Sequence, residues 1–184
     1  MRFLFHVASA ASLVLLLCPP ARAASPEDHP AVPAILARAE SLFQSMKNRD
    51  YSAIFAALSA KSREKIVAET SSVLTAAARQ TPKGTQTAAE APHASSKNPP
   101  PGPEEVRSDF IAGGPIARDY WDAFLRRFDP DAALEHSRWE IGSVGKDRAE
   151  ILLTHHSADH PATLKMFRED GDWKTGLVET FWSR

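Results

Sequence analysis

The chain has 184 residues, with 22 Lys and Arg against 23 Asp and Glu and a formal charge of −1. That balance supplies no basic patch or stripe of the kind that draws a protein to nucleic acid or anionic lipid, so no nucleic-acid partner is expected. Cys18 is the only cysteine, which excludes an internal disulfide and a thiolate metal site, and stability must come from an apolar core that 43% hydrophobic residues can build.

Met1 and Arg2 form a short basic start, followed by Phe3, Leu4, Phe5, Val7 and the run Leu13 to Leu17. Pro19 and Pro20 stop a helix, and Ala21-Arg22-Ala23 places small residues at the two positions a signal peptidase reads. This pattern predicts a cleaved signal peptide over residues 1–24, with cut sites before Ala24 or Ser25, and a periplasmic or secreted product. The apolar stretch, roughly 15 residues, is shorter than the ~20 that cross a bilayer, so no permanent membrane span is expected. Leu17 stands before Cys18, where lipidation requires a small residue. Loss of Arg2 and Arg22 leaves 20 basic against 23 acidic residues, a charge of −3.

Residues 25–184 are the length of one domain. From Pro33, the apolar residues Ile35, Ala39, Leu42, Phe43 and Met46 recur at the spacing of one buried helical face, and Asn48-Arg49-Asp50 ends that helix. Asp50 is placed to cap a second helix carrying Tyr51, Ile54, Phe55 and Leu58. A third begins near Ala60, with Ile66, Val67, Thr70, Val73, Leu74 and Ala77 on one face, and loses its pattern near Arg79. Residues 80–104 hold no large apolar residue: Pro, Gly, Ser, Thr, Ala and Gln dominate, which predicts a disordered insertion within the domain, with a linker between two domains as the alternative.

Order is expected again from Val106 to Ile111, before the turn Gly113-Gly114-Pro115. Ile116, Tyr120, Trp121, Phe124, Leu125 and Phe128 define a strongly amphipathic helix that Asp129-Pro130 terminates. The period then shortens to that of strands over Arg138–Val144, Ala149–His156 and Thr163–Arg168. Glu169-Asp170-Gly171-Asp172 reads as a tight hairpin leading into a last strand from Trp173 to Trp182. Short turns between successive strands mean an antiparallel meander, and the fold class is α+β.

Helices first, one ending in Asn48-Arg49-Asp50-Tyr51, then strands closing on Glu169-Asp170-Gly171-Asp172-Trp173-Lys174, resemble the nuclear transport factor 2-like superfamily, in particular its exported bacterial members of uncharacterised function. The resemblance covers most of residues 31–78 and 116–183. It implies a curved sheet wrapped round the helices as a cone, and a homodimer formed through the exposed sheet face. The long insertion departs from that family's compact pattern. Because the superfold hosts enzymes, adaptors and proteins that only bind, the resemblance does not select a function.

Four histidines, His136, His155, His156 and His160, lie in the strand region. Adjacent residues of a strand point to opposite faces, so His155 and His156 are not expected to share a pocket, and no metal or other cofactor is expected. Resembling enzymes place an acidic residue and a His or Tyr inside the cone, which makes Glu179 and His155 the candidate acid–base pair, with Tyr51 and Asp119 also considered. If Trp173, Thr175, Leu177 and Glu179 form the concave face, Glu179 lines the cavity. If the alternation is offset by one, Glu179 is solvated. No Gly-x-Ser-x-Gly elbow or phosphate loop is present in the sequence. Tyr51, Trp121 and Trp182 are the candidate ligand-binding residues, Trp182 being the aromatic best placed to reach a pocket mouth or interface. The expected function is a non-catalytic module binding a small apolar ligand or a protein partner; the alternative is a small-molecule lyase or isomerase using Glu179 and His155.

Overall fold

The computed structural model describes residues 25–80 and 99–182. The segment read as a signal peptide, and most of the segment read as an insertion, lie outside the described residues. Both ends of the 80–104 segment are helical, since Gln80 ends one helix and Pro103 begins the next.

Three helices open the chain: α1 (Val32–Lys47), α2 (Tyr51–Ala57) and α3 (Ala60–Gln80). The Asp50 side chain accepts from the Ala53 N–H at 3.0 Å and caps α2 as its sequence position predicts. Arg49 sits at φ 55° in the turn before it. Its guanidinium donates to Asp122 at 2.6 Å, which fixes this left-handed turn against a later helix. In α3, Ile66 and Val67 are buried, whereas Val73 is 67% exposed and Ala77 is exposed. The apolar face of α3 thus outruns the core: Leu74 still packs partly against it, while Val73 faces outward.

Three more helices follow: α4 (Pro103–Ala112), α5 (Pro115–Leu125) and α6 (Pro130–Glu135). Proline opens all three, where its missing N–H costs nothing. Pro130, read as a terminator, is instead the first residue of α6, and Asp129 accepts from the Asp131 N–H at 2.9 Å. Gly113, at φ 66°, closes α4 in the left-handed conformation that glycine adopts without strain. The helices α1, α4 and α5 bury Phe43, Phe110 and Trp121.

The sheet has four antiparallel strands in sequential order: β1 (Ser137–Val144), β2 (Arg148–His155), β3 (Ala162–Glu169) and β4 (Asp172–Gly176). Ile151 pairs with Ile141 and Leu164, and Met166 with Ala149 and Thr175, so these side chains form one face turned to the helices. The other face carries Arg138, Glu140, Glu150, Lys165 and Lys174 together with Leu152 and Phe167. Asp170 at φ 51° and Gly171 at φ 87° make the two-residue hairpin expected there.

The last strand does not continue to Trp182. It stops at Gly176, and α7 (Leu177–Phe181) follows. The ladder ends because side chains take over its hydrogen bonds. Thr180 Oγ1 accepts from the Lys165 N–H at 3.0 Å and donates to the Gly176 carbonyl at 2.6 Å, while the Val178 N–H donates to Ser62 Oγ at 3.0 Å. Alternation of apolar residues alone cannot signal this exchange.

Candidate functional site

Glu179 therefore belongs to α7 and not to a strand, and the question of concave or convex alternation does not arise for it. It is 8% exposed. Its carboxylate accepts from Ser59 Oγ at 3.1 Å and from Ser62 Oγ at 2.6 Å. Ser59 in turn accepts from the Ser62 N–H at 3.1 Å, at the first turn of α3. A second carboxylate, Glu169, accepts from the Ala60 N–H with both oxygens, at 3.0 and 2.9 Å. Two acids thus meet the positive end of α3, a favourable placement for negative charge. Clefts of about 450 and 470 Å³ flank Glu179, with Lys61 lining both.

His155 ends β2 and its Nδ1 lies 2.7 Å from Ser157 Oγ. Glu150, which pairs with the Lys165 held by α7, is five residues back along the same strand, roughly 17 Å at ~3.3 Å per residue. His155 lines neither cleft at Glu179, and the structure does not bring the two together as an acid–base pair. His155 and His156 do approach each other, contrary to the expectation from strand alternation: their ring centres are 4.3 Å apart, because the strand ends at His155 and His156 lies in the turn. His136 is 5.6 Å from His156 and 6.4 Å from His155. Among the described residues no three His, Cys, Asp or Glu side chains are arranged to hold a metal ion.

The three candidate ligand-binding residues separate in the same way. Tyr51 donates to Asp122 at 2.8 Å and braces α2 against α5. Trp121 is fully buried, edge-on to Phe110, Tyr120 and Phe124, and a surface ligand does not reach it. Trp182 is 44% exposed and lines a cleft.

That cleft is part of a groove legible along α5. Ile116, Tyr120 and Phe124 recur every four residues, one helical turn, and Phe128 continues the row past the helix end. At one end the row forms a cleft of about 610 Å³ with Phe181 and Trp182 as a wall and Arg126 and Arg127 beside it. At the other it forms a cleft of about 390 Å³ with Thr70, Val73 and Leu74 of α3, where Glu69 and Asp119 are the charged lining. Tyr120 lines both. Tilted and edge-on rings run from the core to this surface, with Phe124 to Phe128 at 5.4 Å and Phe128 to Phe181 at 6.1 Å. Burial, and after it the negative charge of Glu69, raises the Tyr120 phenol above the usual tyrosine range. None of the ion pairs among the described residues uses Asp119, Arg126 or Arg127. Glu69 pairs with Lys65 at 2.9 Å.

The sequence signal for the groove was present in α3 and α5, whose apolar faces are each wider than one core contact can use. Reading both faces as core conceals it. No helix among the described residues is long and apolar enough to cross a membrane. Compared with protein-family models, curated proteins and solved structures, the chain gives no significant match.

Proposed function

We propose that this chain is a non-catalytic assembly module that seats an apolar protein segment in the groove between α3, α5 and α7. One observation carries the reading. Of the four large apolar side chains exposed among the described residues, Val73, Phe181 and Trp182 border this one groove, and only Ile111 stands elsewhere. Isolated exposed apolar residues are ordinary on a protein surface; a contiguous set marks a contact. The helical part of the row alone, Ile116 to Phe124, is about 12 Å long at ~1.5 Å per residue, and Phe128 extends it past the helix end, which suits a helix or an extended segment. The test is a photo-crosslinking side chain at position 182 in cells making the protein, with position 138 on the free sheet face as control. A discrete protein adduct at 182 that maps to an apolar segment, and none at 138, is expected. Equal labelling at both positions, or no protein adduct, contradicts the reading.

A second reading, a small apolar ligand, is favoured by the 610 Å³ cleft alone, since that volume lies in the range of small-molecule sites. Absence of a protein adduct together with saturable binding of a small apolar probe would select it.

The family and compartment belong to the same proposal. The order of helices before an antiparallel meander supports membership of the nuclear transport factor 2-like superfamily, with the sheet curved into a cone. The basic start, apolar run and Ala21-Arg22-Ala23 support export after removal of residues 1–24. N-terminal sequencing that finds Met1, or a lipid on Cys18, contradicts export.

A further inference from the structure

The occupant of the groove is argued from its charges, and the argument rests on the assembly reading above. We infer that the groove pairs with the same groove of a second copy, the two α5 helices crossing antiparallel at Ala123. Asp119 lies four residues before Ala123, one turn or about 6 Å along the axis, and Arg127 lies four residues after it, in the turn that follows the helix end at Leu125. A two-fold axis through Ala123 therefore sets Asp119 of each copy against Arg127 of the other, and the acidic end of each groove against the basic end of its mate. This self-complementarity is what an isologous contact requires. Ala123 is exposed and has the smallest side chain that lines the groove, which lets two helices approach closely at the crossing. Val73 and Trp182, exposed in the single chain, become covered.

Other occupants fit less well. Residues 81–98, which connect α3 to the segment before α4, contain no Leu, Ile, Val, Met, Phe, Tyr or Trp, and so have nothing to fill an apolar cleft. The free sheet face, where the family resemblance places a dimer, mixes Leu152 and Phe167 with Arg138, Glu140, Glu150 and Lys165, whose charges such a contact would have to cover. A uniformly basic or acidic partner would satisfy only one end of the groove.

Two charge-reversed proteins test this. R126E/R127E makes both ends acidic, and E69K/D119K makes both ends basic. The wild-type protein is expected to sediment as a dimer, and each variant alone to weaken dimerisation by about tenfold or more. An equimolar mixture of the two variants is expected to recover a dimer containing one copy of each, since both ends then attract. That recovery also shows that both variants are folded; circular dichroism and melting curves check it independently. A wild-type monomer up to its solubility limit, a dimer that both variants retain, or a mixture that stays monomeric while both variants are folded overturns the inference. A position-182 adduct with a different protein removes this inference and leaves the assembly reading standing, whereas no adduct of any kind removes both.

Discussion

Removing the Glu179 carboxylate should loosen the junction between α7 and the start of α3. Glu179→Ala takes the acceptor away from the Ser59 and Ser62 hydroxyls, which donate to it at 3.1 and 2.6 Å. Hydrogen bonds to a charged group contribute about 1.5–3 kcal/mol each, and the longer of the two belongs at or below the bottom of that range, so a loss of about 2–4 kcal/mol is expected. For a domain of this size that is roughly 5–15 °C in Tm. Glu179→Gln keeps one carbonyl acceptor but turns an N–H₂ toward a hydroxyl, and should cost about 1–2 kcal/mol. Urea denaturation reads both values, with an unchanged slope showing that the effect is on stability. Ser62→Ala removes the same bond and also the acceptor of the Val178 N–H, so its effect should not add to that of Glu179→Ala; a coupling energy of about 1 kcal/mol or more is expected. Strict additivity, or a Glu179→Ala cost under about 0.5 kcal/mol, as for a solvated surface residue, would refute the latch.

In a Tyr51→Phe background Tyr120 is the only tyrosine, and tyrosinate absorbance should appear only above the ordinary range near pH ~10. Because the folded phenol is raised above its unfolded value, the stability it contributes is fully present below about pH 10 and is lost as pH rises through the higher folded value; a normal titration contradicts this. Gly176→Ala should destabilise by about 1–3 kcal/mol, since a Cβ there would stand 2.3 Å from the Phe167 ring and 3.2 Å from a Glu179 oxygen, and an unchanged melting curve would count against that packing. Val73→Ser should leave chemical stability within about 0.5 kcal/mol, as befits a side chain 67% exposed, while weakening self-association in sedimentation; a large loss of stability would place Val73 in the core.

Much of the fold could be read from periodicity. The buried stripe of α1, the Asp50 cap and the hairpin at Asp170-Gly171 all follow from local rules that tertiary packing did not override. The misreadings have local causes too. α4 and α6 carry only two and one buried residues, too few to give a period, and both start at a proline that reads equally as a stop. The β4 to α7 junction depends on Ser62 and Thr180 bonding backbone groups, 116 residues apart in one case, which no window of sequence contains. Trp182 was legible as a surface aromatic, whereas Trp121, five residues after Ile116 on the same helix, turns inward. Glu179 is legible as a residue of consequence, whereas Ser59 and Ser62, which donate to it, stand more than a hundred residues earlier, beyond any local pattern.

The most direct test of the docking surface is the environment of Trp182 in the intact protein. With 5-fluorotryptophan incorporated, the four indoles give four ¹⁹F resonances, and Trp182→Phe assigns one. On raising the protein concentration, the Trp182 resonance should shift and lose its solvent isotope effect as the indole is covered, while that of Trp121, already fully buried, stays fixed. A Trp182 resonance that keeps its solvent isotope effect at every concentration, in a protein that sediments as a dimer, would show that the groove between α3, α5 and α7 is not where the copies meet.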